Sequence, residues 1–284
     1  MRNSKTMWAF SLLLPVLAIA MLCIDLQNAS AQWRGGGGGW TIGPRRPTND
    51  CPDPNTFTFC RLQYTDIRRE PLGHGWNTDY PDSDINFMIR LSQLTTIPIS
   101  RQANGEPDHV VLEPADDRIF NYPFVFLSDA GTVGFSNKEI ENLRNYLLRG
   151  GFLHADDFWG EDAWENWALE IGQVLPPEEY PIFDIKPDDE IMNIVFKIPE
   201  VPQIPSIQHW NQSGGAISER GDASAEPHFR GIKDHDGRIM VVMTHNTDIA
   251  DGWEREGENE EFFSLFSVKA YPLGINIVVY AMTH

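Results

Sequence analysis

Cysteine is scarce in this chain: only Cys23, Cys51 and Cys60 occur in 284 residues. None is set in a C-x-x-C spacing, which excludes zinc-ribbon and thioredoxin-like redox readings. None falls on a strand-to-helix elbow either, where a helix N-terminus would lower a thiol pKa. The G-x-S-x-G serine elbow is missing, since Ser128 sits in LSDAG, so acyl transfer has no nucleophile. The phosphate loop G-x-x-x-x-G-K-[ST] and the H-E-x-x-H zinc signature are also absent. Positive charge is in short supply: 22 Lys and Arg face 41 Asp and Glu, for a formal net charge of −19. Such a balance argues against nucleic acid and anionic membrane as partners. A small polar ligand or an exported protein is the expected partner. No internal repeat is present, and no membrane span is expected beyond the N-terminal segment.

That segment has the marks of a secretory signal. Arg2 and Lys5 precede the apolar run Met7–Ile24, and Ala29-Ser30-Ala31 offers small residues for cleavage after Ala31. An uncleaved anchor helix is the competing reading. Residues 32–55 follow as a flexible lead-in, with glycine at every position from 35 to 39 and then Pro44 and Pro47. Residues 56–284 suit one large α/β domain, and the protein is expected to be secreted or periplasmic. Export would permit a disulfide between Cys51 and Cys60; the alternative is that Cys60 is a small buried strand residue.

The best-marked stretch runs from Asn121 to Gly160. Tyr122–Leu127 is a short apolar run, as in a strand buried on both faces. Ser136 and Glu139 form a capping box, and Ile140, Leu143, Leu147 and Leu148 recur at helical spacing. Gly150-Gly151 stops the helix, and Phe152–Ala155 begins a second strand ending on Asp156 and Asp157. This is a βαβ unit, so its strands are expected to be parallel neighbours. Upstream, Phe57–Tyr64 reads as the first strand, Asp82 as the N-cap of a helix, and Thr95–Ile99 and Val110–Leu112 as short strands. Downstream, residues 161–174 read as a helix. Residues 181–230 read as an irregular insertion with a short helix near 188–195. Residues 238–243 read as a buried strand, residues 258–270 as helical, and Pro272 as the first turn of a final helix.

The stretches FTFCRLQY, NTDYPDSDINF, YPFVFLSDAGTVGFS, LRNYLLRGGFLHADDFWG, HNTDIADGWE and AYPLGINIVVYAMTH resemble, in order, the landmarks of domain-of-unknown-function family 4159. The resemblance spans residues 56–284. That family is similar in fold to the class I glutamine amidotransferase-like superfamily, and the GGFLHADD passage resembles the ThuA-like sugar-utilisation proteins. The resemblance implies a flavodoxin-like three-layer sandwich with a mostly parallel sheet, and it transfers no reaction.

In such a sheet, ligands bind beyond the carboxyl ends of the strands. The strand ends carry His74, Trp76, Asn77, Asp79 and Tyr80; then Ser128 and Asp129; then His154, Asp156, Asp157 and Trp159; then His245, Asn246, Asp248, Asp251 and Trp253. Two function classes follow. In a non-catalytic binding module, Trp76, Asp79, Tyr80, Asp129, Trp159, Asn246, Asp251 and Trp253 would form the ligand site. Indoles would stack on a carbohydrate-like ligand, and carboxylates would accept its hydroxyl hydrogens. In a hydrolase, Asp156 or Asp157 would face Asp248 or Asp251 as acid and base, with His245 as a further catalytic candidate. Alternatively His154, Asp156, His245 and Asp248 would hold a divalent metal. No other cofactor is expected. Each residue also has a plain structural role open to it: a helix cap, a turn, or a packed core side chain.

Overall fold

The computed structural model describes residues 43–47 and 52–284. The signal segment, most of the lead-in and Cys51 lie outside the described residues. In chain order the strands are β1 (Cys60–Leu62), β2 (Thr65–Asp66), β3 (Val110–Leu112), β4 (Phe124–Leu127), β5 (Val133–Gly134), β6 (Phe152–Phe158), β7 (Ile182–Asp184), β8 (His228–Lys233) and β9 (Ile239–His245). The helices are α1 (Asp82–Leu94), α2 (Asn137–Leu148), α3 (Glu161–Val174), α4 (Ile207–Ser213), α5 (Ile249–Glu254), α6 (Glu260–Phe262) and α7 (Val268–Thr283).

Seven strands form one sheet in the order β3-β1-β4-β6-β9-β8-β7, while β2 and β5 pair separately. The five strands from β3 to β9 run parallel, as the βαβ reading requires. The far edge is antiparallel: β8 runs against β9, and β7 against β8. Along β4 the side chains divide between two cores. Phe124 and Phe126 join the layer that holds α1, α5 and α7; Val125 and Leu127 join the layer that holds α2 and α3. The molecule is therefore an α/β three-layer arrangement with a mostly parallel, mixed sheet.

Local chemistry explains the boundaries. The Ser136–Glu139 capping box is formed in both directions at the start of α2. The N-terminus of α1 is closed differently from expectation, because Pro81 holds the cap position and Asp82 is the first helical residue. β1 is shorter than the alternating pattern suggests; Phe57 makes only an isolated bridge to Ile99, which is all that Thr95–Ile99 contributes. The proline-studded span 181–230 is more regular than its composition implies. It contains β7, a 3₁₀ turn at Glu190–Met192, the helix α4 and the start of β8. Pro272 lies inside α7, not at its first turn, because the helix begins upstream and passes through a π-helical turn at Phe263–Ser267. A proline there costs about 3 kcal/mol. The fully buried Leu273, Ile275, Ile277 and Val278 outweigh it at roughly 1.5–3 kcal/mol each. The run Glu260–Thr283 is long and apolar enough to cross a bilayer, but here it packs against the sheet as core. Cys60 is fully buried within β1, and the expected bridge to Cys51 falls outside the described residues.

Candidate functional site

The carboxyl ends of β1, β4, β6 and β9 open into one cleft of about 190 Å³. Each arrives there by a local device. Beyond β1, the Arg61 guanidinium is sealed from solvent and gathers the next loop around itself. It pairs with Asp84 at 2.6 Å and donates to Ser83 Oγ at 2.8 Å and to the carbonyls of Trp76 and Thr78 at 3.1 and 2.9 Å. That grip fixes the turn carrying Asp79. Gly75, at φ 67°, donates its N–H to Asp129 Oδ2 at 2.8 Å, and a Cβ at Gly75 would collide with the Asp66 carboxylate.

Along β6, regular alternation would turn Asp157 to the same face as Ala155. A β-bulge between Ala155 and Phe158 breaks the register with β9, and Asp157 takes φ 55°. The extra residue turns Phe158 into the α2–α3 core and re-aims Asp157 into the cleft. Asp129 (φ 52°) and Asn246 (φ 59°) end β4 and β9 in the same left-handed conformation, and Asp79 (φ 62°) and Leu72 (φ 71°) adopt it in the β1 loop. These are all the non-glycine residues at positive φ among the described residues, and four of the five line the cleft. Strained backbone of this kind collects at functional sites.

The lining is acidic. Glu70 and Asp79 come from the β1 loop, Asp129 from β4, Asp157 from β6, Asp248, Asp251 and Glu254 from α5 and its approach, and Glu219 from the insertion. One guanidinium, Arg255, joins them. Burial, with only partial relief from Arg61 and Arg255, pushes Asp79 up to about 6. Burial and then the charge of Glu70 push Asp129 up to about 7. Burial and Asp79 push Glu254 up to about 8. Asp157, Asp248 and Asp251 are raised well above the carboxylate range by burial and then by their acidic neighbours. One oxygen each from Asp79, Asp248 and Asp251 lie within 4.8 Å of one another. At an effective dielectric of ~20, charges at that spacing repel by about 3 kcal/mol per pair. Arg255 does not cancel this. Its Nε lies 2.6 Å from Glu254 Oε2 but 3.8 Å from Asp251 Oδ1, and its Nη1 reaches outward to Glu258.

The remaining residues named from the sequence divide between cleft and core. Tyr80 and Trp159 line the cleft, the indole of Trp159 donating to Asp157 Oδ1 at 3.0 Å. Asn246 braces the rim, accepting from Gly160 N–H and donating to the Glu226 carbonyl, both at 2.8 Å. Trp253 is 1 % exposed and packs on Phe87, Phe59 and Phe126, so it has no face for a ligand. Trp76 packs against Tyr80 outside the cleft lining. Asp156 is a structural acceptor: it takes the Thr244 hydroxyl and the Ala250 N–H, closing the N-terminus of α5 from the neighbouring strand. Burial pushes its carboxyl up to about 7 despite those bonds.

The expected quartet of His154, Asp156, His245 and Asp248 is not assembled. His154 faces the α1–α5–α7 layer against Phe126 and bonds Thr244 Oγ1 at 2.9 Å; burial drives its pKa down to about 3. His245 faces the other layer, stacked between Phe158 and His228, with Nε2 on the Gly160 carbonyl at 3.0 Å. Burial brings it down to about 4. Glu70, Glu219, Glu254, Arg255, Ser206 and Gln208 also line the cleft and were not singled out by the strand-end rule. Glu254 and Arg255 had a usable signal, standing one helical turn beyond Asp251. Glu219, Ser206 and Gln208 come from the insertion, where no periodicity pointed to the rim.

Fold and site thus define an α/β protein with a buried acidic cleft at the carboxyl ends of its parallel strands. Residues 58–282 match the family model described as "Domain of unknown function (DUF4159)", and the chain belongs to that family. No curated protein matches the chain.

Proposed function

We propose that this chain is a non-catalytic binding module whose rim cleft takes a small ligand bearing positive charge, with hydroxyl groups as secondary contacts. One observation carries the reading: eight carboxylate side chains line a cleft with one guanidinium in its lining, and only Glu70 and Glu219 are paired from behind, by Arg68 and Arg220. Such a surface attracts a cation and accepts hydrogens from it, and low-dielectric walls strengthen that attraction. Stacking of a sugar on tryptophan loses its support, because Trp253 is core and Trp159 is 4 % exposed. Thiol chemistry has no carrier among the described residues, since Cys60 is buried in β1 with its thiol pushed far up by burial.

The finer fold label belongs to the same proposal. Numbered by appearance, the five parallel strands run 2-1-3-4-5 across the sheet, which supports a flavodoxin-like, amidotransferase-like sandwich. Export is also part of it, supported by the Met7–Ile24 run and the Ala29-Ser30-Ala31 site.

Calorimetric titration tests the reading with spermidine, glucosamine and glucose in chelator-treated buffer. The amines bind wild type, glucose binds more weakly, and Asp157→Asn weakens the amines by at least about tenfold. Equal behaviour of wild type and variant, or no binding by any of the three, sinks it. A second reading, a carboxylate hydrolase, is favoured by one observation: Asp129 and Asp157 share the cleft, and burial raises both carboxyls above the usual carboxylate range. It requires turnover of an ester or glycoside that Asp157→Asn abolishes.

A further inference from the structure

We propose that Asp79, Asp248 and Asp251 together hold one hard divalent cation, of the calcium class, within the acidic cleft. This rests on the reading of the cleft as a cation-binding site and names the ion and its ligands.

Three observations carry it. The first is convergence: one oxygen from each of the three carboxylates lies within 4.8 Å of the others. Opposed ligand oxygens around calcium stand roughly 4.6–5.2 Å apart, so one ion fits among them. Two separate elements supply the ligands. Asp79 comes from the loop gripped by Arg61, and Asp248 and Asp251 come from the first turn of α5.

The second is a buried carboxylate oxygen with no N–H or hydroxyl to accept from. Asp79 Oδ2 is sealed from solvent and meets no N–H or hydroxyl; its polar neighbour is the Glu254 carboxyl. Asp248 is 2 % exposed, and its one donor is the Asp251 N–H, 2.7 Å from Oδ1. Asp251 is also 2 % exposed; Oδ2 takes the Ile207 N–H at 2.9 Å, while Oδ1 has the Arg255 Nε no nearer than 3.8 Å. Helix capping accounts for one oxygen of Asp248. A buried carboxylate oxygen without a donor is a costly arrangement, and a cation relieves it.

The third is the donor set. The group contains only carboxylate oxygens, without thiolate or imidazole. Such sets select calcium, magnesium or manganese over zinc or copper. Three carboxylates leave coordination positions for water or for ligand hydroxyls, so a bound ion would present an anchoring point to a polyhydroxylated ligand.

The experiment uses the full chain after EDTA treatment and dialysis. Calcium, magnesium and manganese chlorides are titrated by calorimetry into wild type, Asp79→Asn, Asp248→Asn and the exposed control Asp236→Asn. Melting curves are taken with and without each ion. The expected result is one calcium per chain, matched by the control and weakened at least about tenfold by either cleft variant. Calcium should raise the melting temperature of wild type and control but not of the cleft variants. In EDTA the cleft variants should melt at or above wild type, since each removes a repelling charge; this separates a lost ligand from a damaged fold. No stoichiometric ion, or an ion retained by both cleft variants, overturns the assignment. If spermidine or glucosamine still binds in EDTA while no metal does, the cleft reading stands and the metal site falls. If neither binds, both fall.

Discussion

Asp129 shows how a single position carries both the strain and the charge of the site. Its left-handed backbone turns the chain out of β4, and its carboxylate accepts from Gly75 while facing Glu70, Asp66, Asp79 and Asp157. Its carboxyl is pushed up to about 7, against about 3.9 in an unfolded chain. The folded protein therefore binds more protons than the unfolded one between those values. The contribution to stability is complete below about pH 4 and is lost as pH rises through 7. The buried histidines act in the opposite sense. His154 and His245 are held down at about 3 and about 4, so the unfolded chain takes up their protons first. Stability from that source is lost as pH falls from about 6.5 towards 3. Urea midpoints of the metal-free protein should accordingly decline from pH 5 to pH 8. Asp129→Asn, which keeps an acceptor for Gly75, should flatten that decline. An unchanged slope in the variant would remove Asp129 from the account.

At the scale of elements, one buried ion pair sets the β1 side of the site. Arg61 and Asp84 are both sealed from solvent and hold the 75–84 segment onto β1. Removing one partner of such a pair leaves an uncompensated charge and costs about 3–5 kcal/mol. Arg61→Met should lower urea stability by that amount, and adding Asp84→Leu should recover a large part of it. If the single variant costs less than about 1 kcal/mol, the segment is held by other contacts.

The contrast between β1 and the central unit also explains what could be read from the chain alone. Asn121–Gly160 was legible because each boundary has a short-range cause, such as the Ser136–Glu139 box, and α3 follows its tryptophan and isoleucine spacing over Glu161–Val174. The rim was legible as a place, since Asp129, Asp157, Asp248 and Asp251 all meet there. Its pairings were not. The β6 bulge is set by register against β9, and the grip of Arg61 depends on residues 15 to 23 positions away. Trp253 resembled a rim residue because it follows Asp251 closely, yet on α5 it turns inward to Phe87. The antiparallel edge of β7 and β8 was hidden because proline and charge in that span mask strands that pair only through long-range contact.

The molecule as a whole is strongly acidic, with a net charge of −19 and an isoelectric point near 4.7. Self-repulsion of that size opposes the compact state and is screened within about 10 Å at 0.1 M salt. Sodium chloride between roughly 0.02 and 0.5 M should raise the urea midpoint of the metal-free protein. A falling midpoint would mean that its ion pairs, such as Arg90 with Glu256, outweigh the repulsion. The left-handed strand ends bear on a different question at this scale. Three neighbouring strands finish in a backbone shape that glycine adopts with least effort, yet aspartate or asparagine occupies each. Backbone shape and chemistry are therefore separable at the two of these points that line the cleft, Asp129 and Asp157. Glycine at 129 and 157 would keep the left-handed turns while emptying the mouth of two acids, and relatives on the same frame could recognise quite different molecules by exchanging these side chains alone.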